Sequence, residues 1–377
     1  MTARFRESYQ FDSGLEQAVI DLVRVGSTGF GSGVRQLATR LVRAVPPGVA
    51  DPESFRAQLH EAIRQSTRSV SARFNPNDVP RDTEGSHPVA LVDGIPDGSG
   101  LILPPETQSA LSDVVEEYQK AELLTQAGVR PSRSILLSGP PGVGKTMTAR
   151  WLAQEIGVPL VTMDLSTVVS SYLGSSGRNI KAVLDYAKSA PCVLLLDEFD
   201  AIAKKRDDDT DIGELKRVVN VVLLELDRWQ EASLLVAATN HPQLLDSAVE
   251  RRFDHHVTLE LPGSRERSQI MADLSRGCAL DERVMGVVVA VTEGHSGSDL
   301  ARLWNNARRR SVLRGTPAEQ ELLNEVAWGP RAAGSVRDTL WLMLADRLGM
   351  STRQIASRAG VSHPTVSSAI KRARAAA

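Results

Sequence analysis

An α/β fold built around a parallel sheet is what this sequence predicts, and three observations carry that prediction. Apolar runs of strand length alternate with stretches of helical period between residues 134 and 260, the pattern of a parallel sheet covered on both faces. A glycine-rich turn, Gly139 to Thr146, joins the first of those runs to the first of those helices. A later run, Val193-Leu194-Leu195-Leu196, ends in the acid pair Asp197-Glu198, and the carboxyl ends of such strands are where ligands sit. Helical segments on either side complete the architecture.

Taken in order, residues from about 14 to 65 read as helices. Leu15, Val19, Ile20, Leu22 and Val23 share a helical period, and Leu37, Leu41 and Val42 repeat it after the turn Gly26 to Gly33. Asp51-Pro52-Glu53 starts a third helix carrying Phe55, Leu59 and Ile63. Gly29, Gly31 and Gly33 form a flexible turn, since no Lys-Thr pair follows them. Residues 1–66 are thus a small helical module and 67–100 a linker rich in Ser, Pro, Asn, Asp and Gly, with a short strand at Val89 to Val92.

Gly139-Pro140-Pro141-Gly142-Val143-Gly144-Lys145-Thr146 fits the phosphate-loop pattern, and its flanks agree. Ser134 to Ser138 before it reads as a buried strand, and Met147 to Ile156 after it as a helix with Ala149, Leu152 and Ala153 on one face. Glycines let backbone N–H groups turn inward around phosphates, and the helix start adds positive potential. Lys145 is placed to reach the β- and γ-phosphates, and the Thr146 hydroxyl to ligate Mg²⁺.

Further strands are expected at Pro159 to Met163, Cys192 to Leu196, Ser233 to Ala238 and His256 to Glu260, with helices at Ile180 to Ala190 and Glu214 to Leu226. Asp197 is placed to hold Mg²⁺ directly or through water, and Glu198 to polarise an attacking water. Asp200 has two open readings, a support residue or a cap for the next helix.

Composition narrows the class. A chain of 377 residues accommodates about two or three domains. Its formal net charge of −2 excludes a wholly basic nucleic-acid coat but not a local basic patch. Cys192 and Cys278 are too few and too far apart for a disulfide framework or a zinc site, and Cys192 reads as a small core residue. The stretch from Met1 to Glu7 leads into no apolar run, and the longest apolar run, Val287 to Val291, is far too short to span a bilayer. A cytoplasmic protein with no membrane partner is expected.

Three more segments, read with the two motifs above, fit one family. Ala237-Ala238-Thr239-Asn240 ends a strand in an amide, Arg251-Arg252-Phe253-Asp254 follows shortly, and Gly294-His295-Ser296-Gly297-Ser298-Asp299-Leu300 opens another helix. Together they resemble the classical clade of AAA+ ATPases, over residues 101–327 and with a single AAA module. The resemblance implies a P-loop α/β subdomain over 101–263 and a small helical lid over 264–328. It implies ATP with Mg²⁺ as ligands, Asn240 as the sensor that orients the reacting groups, and Arg251 and Arg252 as arginine fingers acting on a neighbouring subunit's nucleotide. One of the two arginines equally fits a structural ion pair. A homo-oligomeric ring, usually a hexamer, follows from fingers supplied in trans.

Tyr172-Leu173-Gly174 resembles the family's first pore loop, an aromatic grip on a threaded polypeptide. A buried tyrosine is the alternative. The run Lys204 to Asp211 is either a second pore loop or a solvated charge run. Ser175 and Ser176 stand where the family often has an acid, His295 where it usually has another aromatic, and Ser298 where it usually has alanine. No His-Glu-x-x-His zinc-protease pattern follows, so proteolysis would need a separate protease partner.

Beyond Gly329-Pro330 the composition changes. Asp338 to Leu348 reads as a helix, Ser351 caps a second and Ser362 a third, with Gly360-Val361 at the turn between them. This 334–377 segment resembles a helix-turn-helix and holds seven Lys and Arg against two Asp. Ser362, His363, Thr365 and Ser368 would face a DNA major groove, with Lys371 and Arg372 on phosphates. Packing or protein docking is the other reading of the same geometry. The expected function is therefore an ATP-driven remodelling or unfolding ring, with DNA as a second destination. A DNA-directed ATPase or transcriptional regulator, its assembly controlled by nucleotide state, is the rival.

Overall fold

Residues 79–81, 87–96, 100–171, 176–203, 212–229, 233–278, 280–328 and 334–376 are described by a computed structural model. The N-terminal helical module, most of the linker, Tyr172-Leu173-Gly174 and the charge run 204–211 lie outside them. Along the chain come β1 (Leu91–Asp93), α1 (Pro105–Gln119), α2 (Ala121–Gln126), β2 (Ser134–Ser138), α3 (Lys145–Ile156), β3 (Leu160–Asp164) and α4 (Leu165–Ser171). Then follow α5 (Ser176–Lys188), β4 (Val193–Asp197), α6 (Asp200–Ala203), α7 (Ile212–Asp227), β5 (Leu234–Thr239), α8 (Ser247–Glu250) and β6 (His255–Thr258). The remainder is helical: α9 (Ser264–Leu274), α10 (Glu282–Val291), α11 (Gly297–Arg314), α12 (Ala318–Val326), α13 (Gly334–Leu348), α14 (Thr352–Ala359) and α15 (His363–Ala376).

The six strands form one sheet in the order β1-β3-β4-β5-β2-β6. Val193 to Leu196 and all six residues of β5 are buried. Strands covered on both faces need no polar alternation, which is why they read as unbroken apolar runs. β3, β4 and β5 are parallel, and Asp164 pairs with Asp197 while Leu196 pairs with Ala237. Their carboxyl ends therefore line up along one edge of the sheet.

One correction concerns the first strand. The sheet is not wholly parallel, because β1 runs antiparallel to β3, with Leu91 opposite Thr162 and Asp93 opposite Leu160. A three-residue antiparallel strand needs no crossover helix and covers the backbone edge that β3 would otherwise expose. α5 also starts four residues earlier than its apolar period suggests. Its first turn buries the polar residues Ser176 and Asn179, whereas Ile180, Val183, Leu184 and Ala187 carry the amphipathic pattern.

The described residues fall into two compact units, one drawn from those up to residue 98 together with 110–137 and 146–257, the other from 99–109, 138–145 and 258–377. In the first, the sheet and its helices enclose a core that includes Leu194, Leu196, Phe199, Leu235 and Phe253. Cys192 belongs to that core, and burial pushes its thiol up to about 12, so it stays protonated and inert. In the second unit a single apolar cluster joins Leu300 and Trp304 of α11, Leu322 of α12, Leu340 and Leu344 of α13, Ile355 of α14 and Val366 of α15. The composition changes near residue 329, yet the helices on both sides share this cluster. Among the described residues no helix is long and apolar enough to cross a membrane.

Candidate active site

In the second unit the glycine loop is shaped by close approach. Gly139, with φ of 150°, lies so near the chain after β6 that a Cβ there would stand 2.1 Å from the Leu259 carbonyl oxygen. Gly142 has φ of 79°, and a Cβ on it would stand 2.1 Å from Ser298 Oγ and 2.7 Å from Ser296 Oγ. The Ser298 amide donates to the Gly142 carbonyl at 3.1 Å, so the start of α11 is bonded to the loop. That start is itself held by a reciprocal cap: Ser296 Oγ accepts from the Asp299 amide, and the Asp299 carboxylate accepts from the Ser296 amide. The Ser296 hydroxyl, with its amide, holds the Asp299 carboxyl below the usual range. The buried Lys145 ammonium donates to the carbonyls of Gly139 at 2.7 Å and Pro140 at 2.9 Å. The loop thus folds around its own cation.

Gly142→Ala is accordingly expected to weaken nucleotide binding by at least about tenfold, because the left-handed backbone alone costs about 1–2 kcal/mol before the Ser298 clash. Titration with a fluorescent ATP analogue measures it, and near-native affinity would show that the loop does not hold the phosphates.

In the first unit a chain of hydrogen bonds crosses the strand ends. Thr146 Oγ1 donates to Asp197 Oδ2 at 3.1 Å, and Asp197 Oδ1 accepts from the Glu198 amide at 3.0 Å. The Glu198 carboxylate accepts from Asn240 Nδ2 at 3.3 Å. Among the described residues Glu198 is the only non-glycine with positive φ, at 53°. Such a strained residue persists where its surroundings over-determine it, and that is typical of functional sites. Here the determinant is visible, since the next amide, Phe199, donates to the Ala238 carbonyl of β5 at 2.8 Å. The Thr146 hydroxyl and Asp197 carboxylate are a hard, all-oxygen donor pair, which fits Mg²⁺.

Asp200 has the support role. Its Oδ1 accepts from Thr239 Oγ1 at 2.8 Å and from the Asn240 amide at 3.3 Å, fixing where the Asn240 side chain starts. Thr239 carries no signature in the sequence beyond its place at a strand end. Asp254, which closes the segment with the paired arginines, has a role that the sequence does not announce: it accepts from the amides of Arg133 and Ser134 and from Ser134 Oγ at 2.7–3.1 Å.

The two adjacent arginines differ. Arg252 Nε lies 3.1 Å from Asp227 Oδ1, and its Nη1 donates to the Ala248 carbonyl at 2.7 Å. Arg251 is exposed and has no partner among the described residues. Both follow α8, capped by Asp246 through the Ala248 amide, and precede Phe253, packed edge-on against Phe199 at 5.7 Å.

Ser362, His363, Thr365, Ser368, Lys371 and Arg372 are all exposed on α15 or its cap. They are not equally available. Ser362 Oγ meets Thr365 Oγ1 at 2.8 Å, and His363 Nε2 meets Thr352 Oγ1 at 2.8 Å. Arg372 already has an acidic partner: its Nε and Nη2 bind Asp338 Oδ2 at 2.8 and 2.7 Å.

A family model described as "ATPase family associated with various cellular activities (AAA)" matches residues 135–261. The chain is 39% identical over 218 residues to the ATP-dependent zinc metalloprotease FtsH 1 of Symbiobacterium thermophilum, covering 56% of this chain and 37% of that protein. It is 34% identical over 227 residues to the uncharacterized AAA family ATPase y4kL of Sinorhizobium fredii, covering 59% of this chain and 67% of that protein. To FtsH 3 of Sphaerobacter thermophilus it is 36% identical over 245 residues, 62% of this chain and 50% of that protein. The chain therefore spans only a third to a half of the FtsH proteins' length and about two thirds of the Sinorhizobium protein.

Proposed function

The chain belongs to the AAA family of ATPases, and from that premise we propose that it hydrolyses ATP in a homo-oligomeric ring, a hexamer, to remodel or unfold polypeptide. The observation that carries the catalytic part is the hydrogen-bonded run from Thr146 through Asp197 and Glu198 to Asn240. In this reading the glycine loop and Lys145 bind the phosphates, with Lys145 exchanging two carbonyl acceptors for phosphate oxygens. Thr146 and Asp197 would hold Mg²⁺, which would supply charge neutralisation on those oxygens. Glu198 takes a proton from the attacking water, and Asn240 orients Glu198. Arg251 stabilises the charge that develops on a neighbouring subunit's nucleotide.

Polypeptide is the favoured substrate because Tyr172-Leu173-Gly174 has the aromatic–aliphatic–glycine order of a pore loop, and the FtsH relatives are described as ATP-dependent proteases. These 377 residues contain no His-Glu-x-x-His. A second reading, DNA-directed ATPase activity or regulation, is favoured by one observation. α14 and α15 are separated by the left-handed Gly360, with φ of 66°, at the end of a basic segment.

ATPase rate against protein concentration tests both, with an unfolded polypeptide and duplex DNA as separate additions. A rate per subunit that rises with concentration and again with polypeptide is expected. Stimulation by DNA alone would replace remodelling with the DNA-directed reading, and a concentration-independent rate would remove the ring.

A further inference from the structure

The C-terminal segment 334–377 carries seven Lys and Arg, and the structure divides them sharply. Arg372 binds Asp338, and Arg374 binds Asp346 at 2.7 Å. Arg347 binds Asp281 at 2.9 Å and also Glu319. Arg337 stacks over Trp341 at 4.9 Å, and Arg358 over Trp328 at 5.5 Å. Arg353 and Lys371 are exposed and have no partner among the described residues.

These two cations bracket one helix face. α15 buries Val366, Ala369, Ile370 and Ala373 against α13 and α14, so Pro364, Ser368 and Lys371, spaced four and three residues apart, point the opposite way. The Thr352–His363 hydrogen bond ties the start of α14 to the start of α15, which places Arg353 beside the first turn of α15. From His363 to Lys371 the helix rises about 12 Å, close to the roughly 12 Å width of a B-DNA major groove.

We infer that duplex DNA docks on this outer face of α15, with Arg353 and Lys371 on phosphates at opposite edges of the groove and Ser368 toward the bases. Arg372 is a positioning residue that holds α15 on α13 through Asp338. The inference rests on the DNA reading above and is independent of which substrate the ATPase acts on. Two phosphate contacts per subunit make a weak site, which assembly into a multivalent array would strengthen.

The test is fluorescence anisotropy of the full chain with a fluorescein-labelled random-sequence duplex across a salt series. Arg353→Ala with Lys371→Ala is expected to weaken binding about tenfold or more at low salt and to flatten the slope of log affinity against log salt by about two. Arg372→Asp is expected to weaken binding, and adding Asp338→Arg to restore it, since the reversed ion pair again seats α15. An unchanged slope in the double variant overturns the phosphate assignment, and no rescue by the reversed pair overturns the positioning role. Wild-type protein that hydrolyses ATP but binds no duplex at any salt overturns the DNA reading itself and leaves the ATPase reading standing.

Discussion

Glu198→Gln is expected to lower ATP turnover by about 10²–10⁴-fold, the usual contribution of a positioned general base, while ATP binding stays near normal. The amide is close in size to the carboxylate, so the backbone at φ of 53° and the bond from the Phe199 amide to β5 are undisturbed. What is lost is the capacity to take a proton from water. The Asn240 amide, which donates to the Glu198 carboxylate at 3.3 Å, can still donate to the new side-chain carbonyl. The variant should therefore hold ATP without consuming it. Steady-state hydrolysis combined with titration of a fluorescent ATP analogue separates the two effects. A loss of less than tenfold in turnover would mean that another group activates the water.

Arg251→Ala is expected to reduce turnover by about 10³–10⁵-fold, the range for an arginine that completes a neighbour's site. Arg252→Ala should cost far less, because that guanidinium is spent on Asp227 and the Ala248 carbonyl, and exposed ion pairs of this kind contribute only about 0–1 kcal/mol. Complementation gives the sharper result. A subunit with Arg251→Ala retains its own Glu198, and a subunit with Glu198→Gln retains its own Arg251. Mixing the two inactive variants should restore part of the activity if the arginine acts across subunits. A mixture that stays inactive, or equal losses at the two arginines, would sink the assignment of Arg251.

Much of this molecule is legible locally. The glycine loop announces itself because its conformation depends on residue types at adjacent positions, and Lys145 and Thr146 need only follow it. The buried strands β4 and β5 announce themselves as apolar runs, the first ending in Asp197 and the second followed directly by Asn240. The antiparallel β1 is less readable, since three residues carry no period and its partner strand lies far along the chain. The early start of α5 is hidden for a related reason: Ser176 and Asn179 are buried polar residues that break the amphipathic pattern.

By itself, the sequence determined the α/β class, the phosphate loop, the acid pair and the chain order of the motifs, all of which depend on short-range periodicity and residue chemistry. Tertiary structure alone decided which like residues differ in use. Asp200 bonds to Thr239 across 39 positions, Arg252 to Asp227 across 25 and Arg372 to Asp338 across 34. Identical side chains at neighbouring positions become a free cation or a bound one only when folding brings a carboxylate to within hydrogen-bond reach, and no local pattern encodes that meeting.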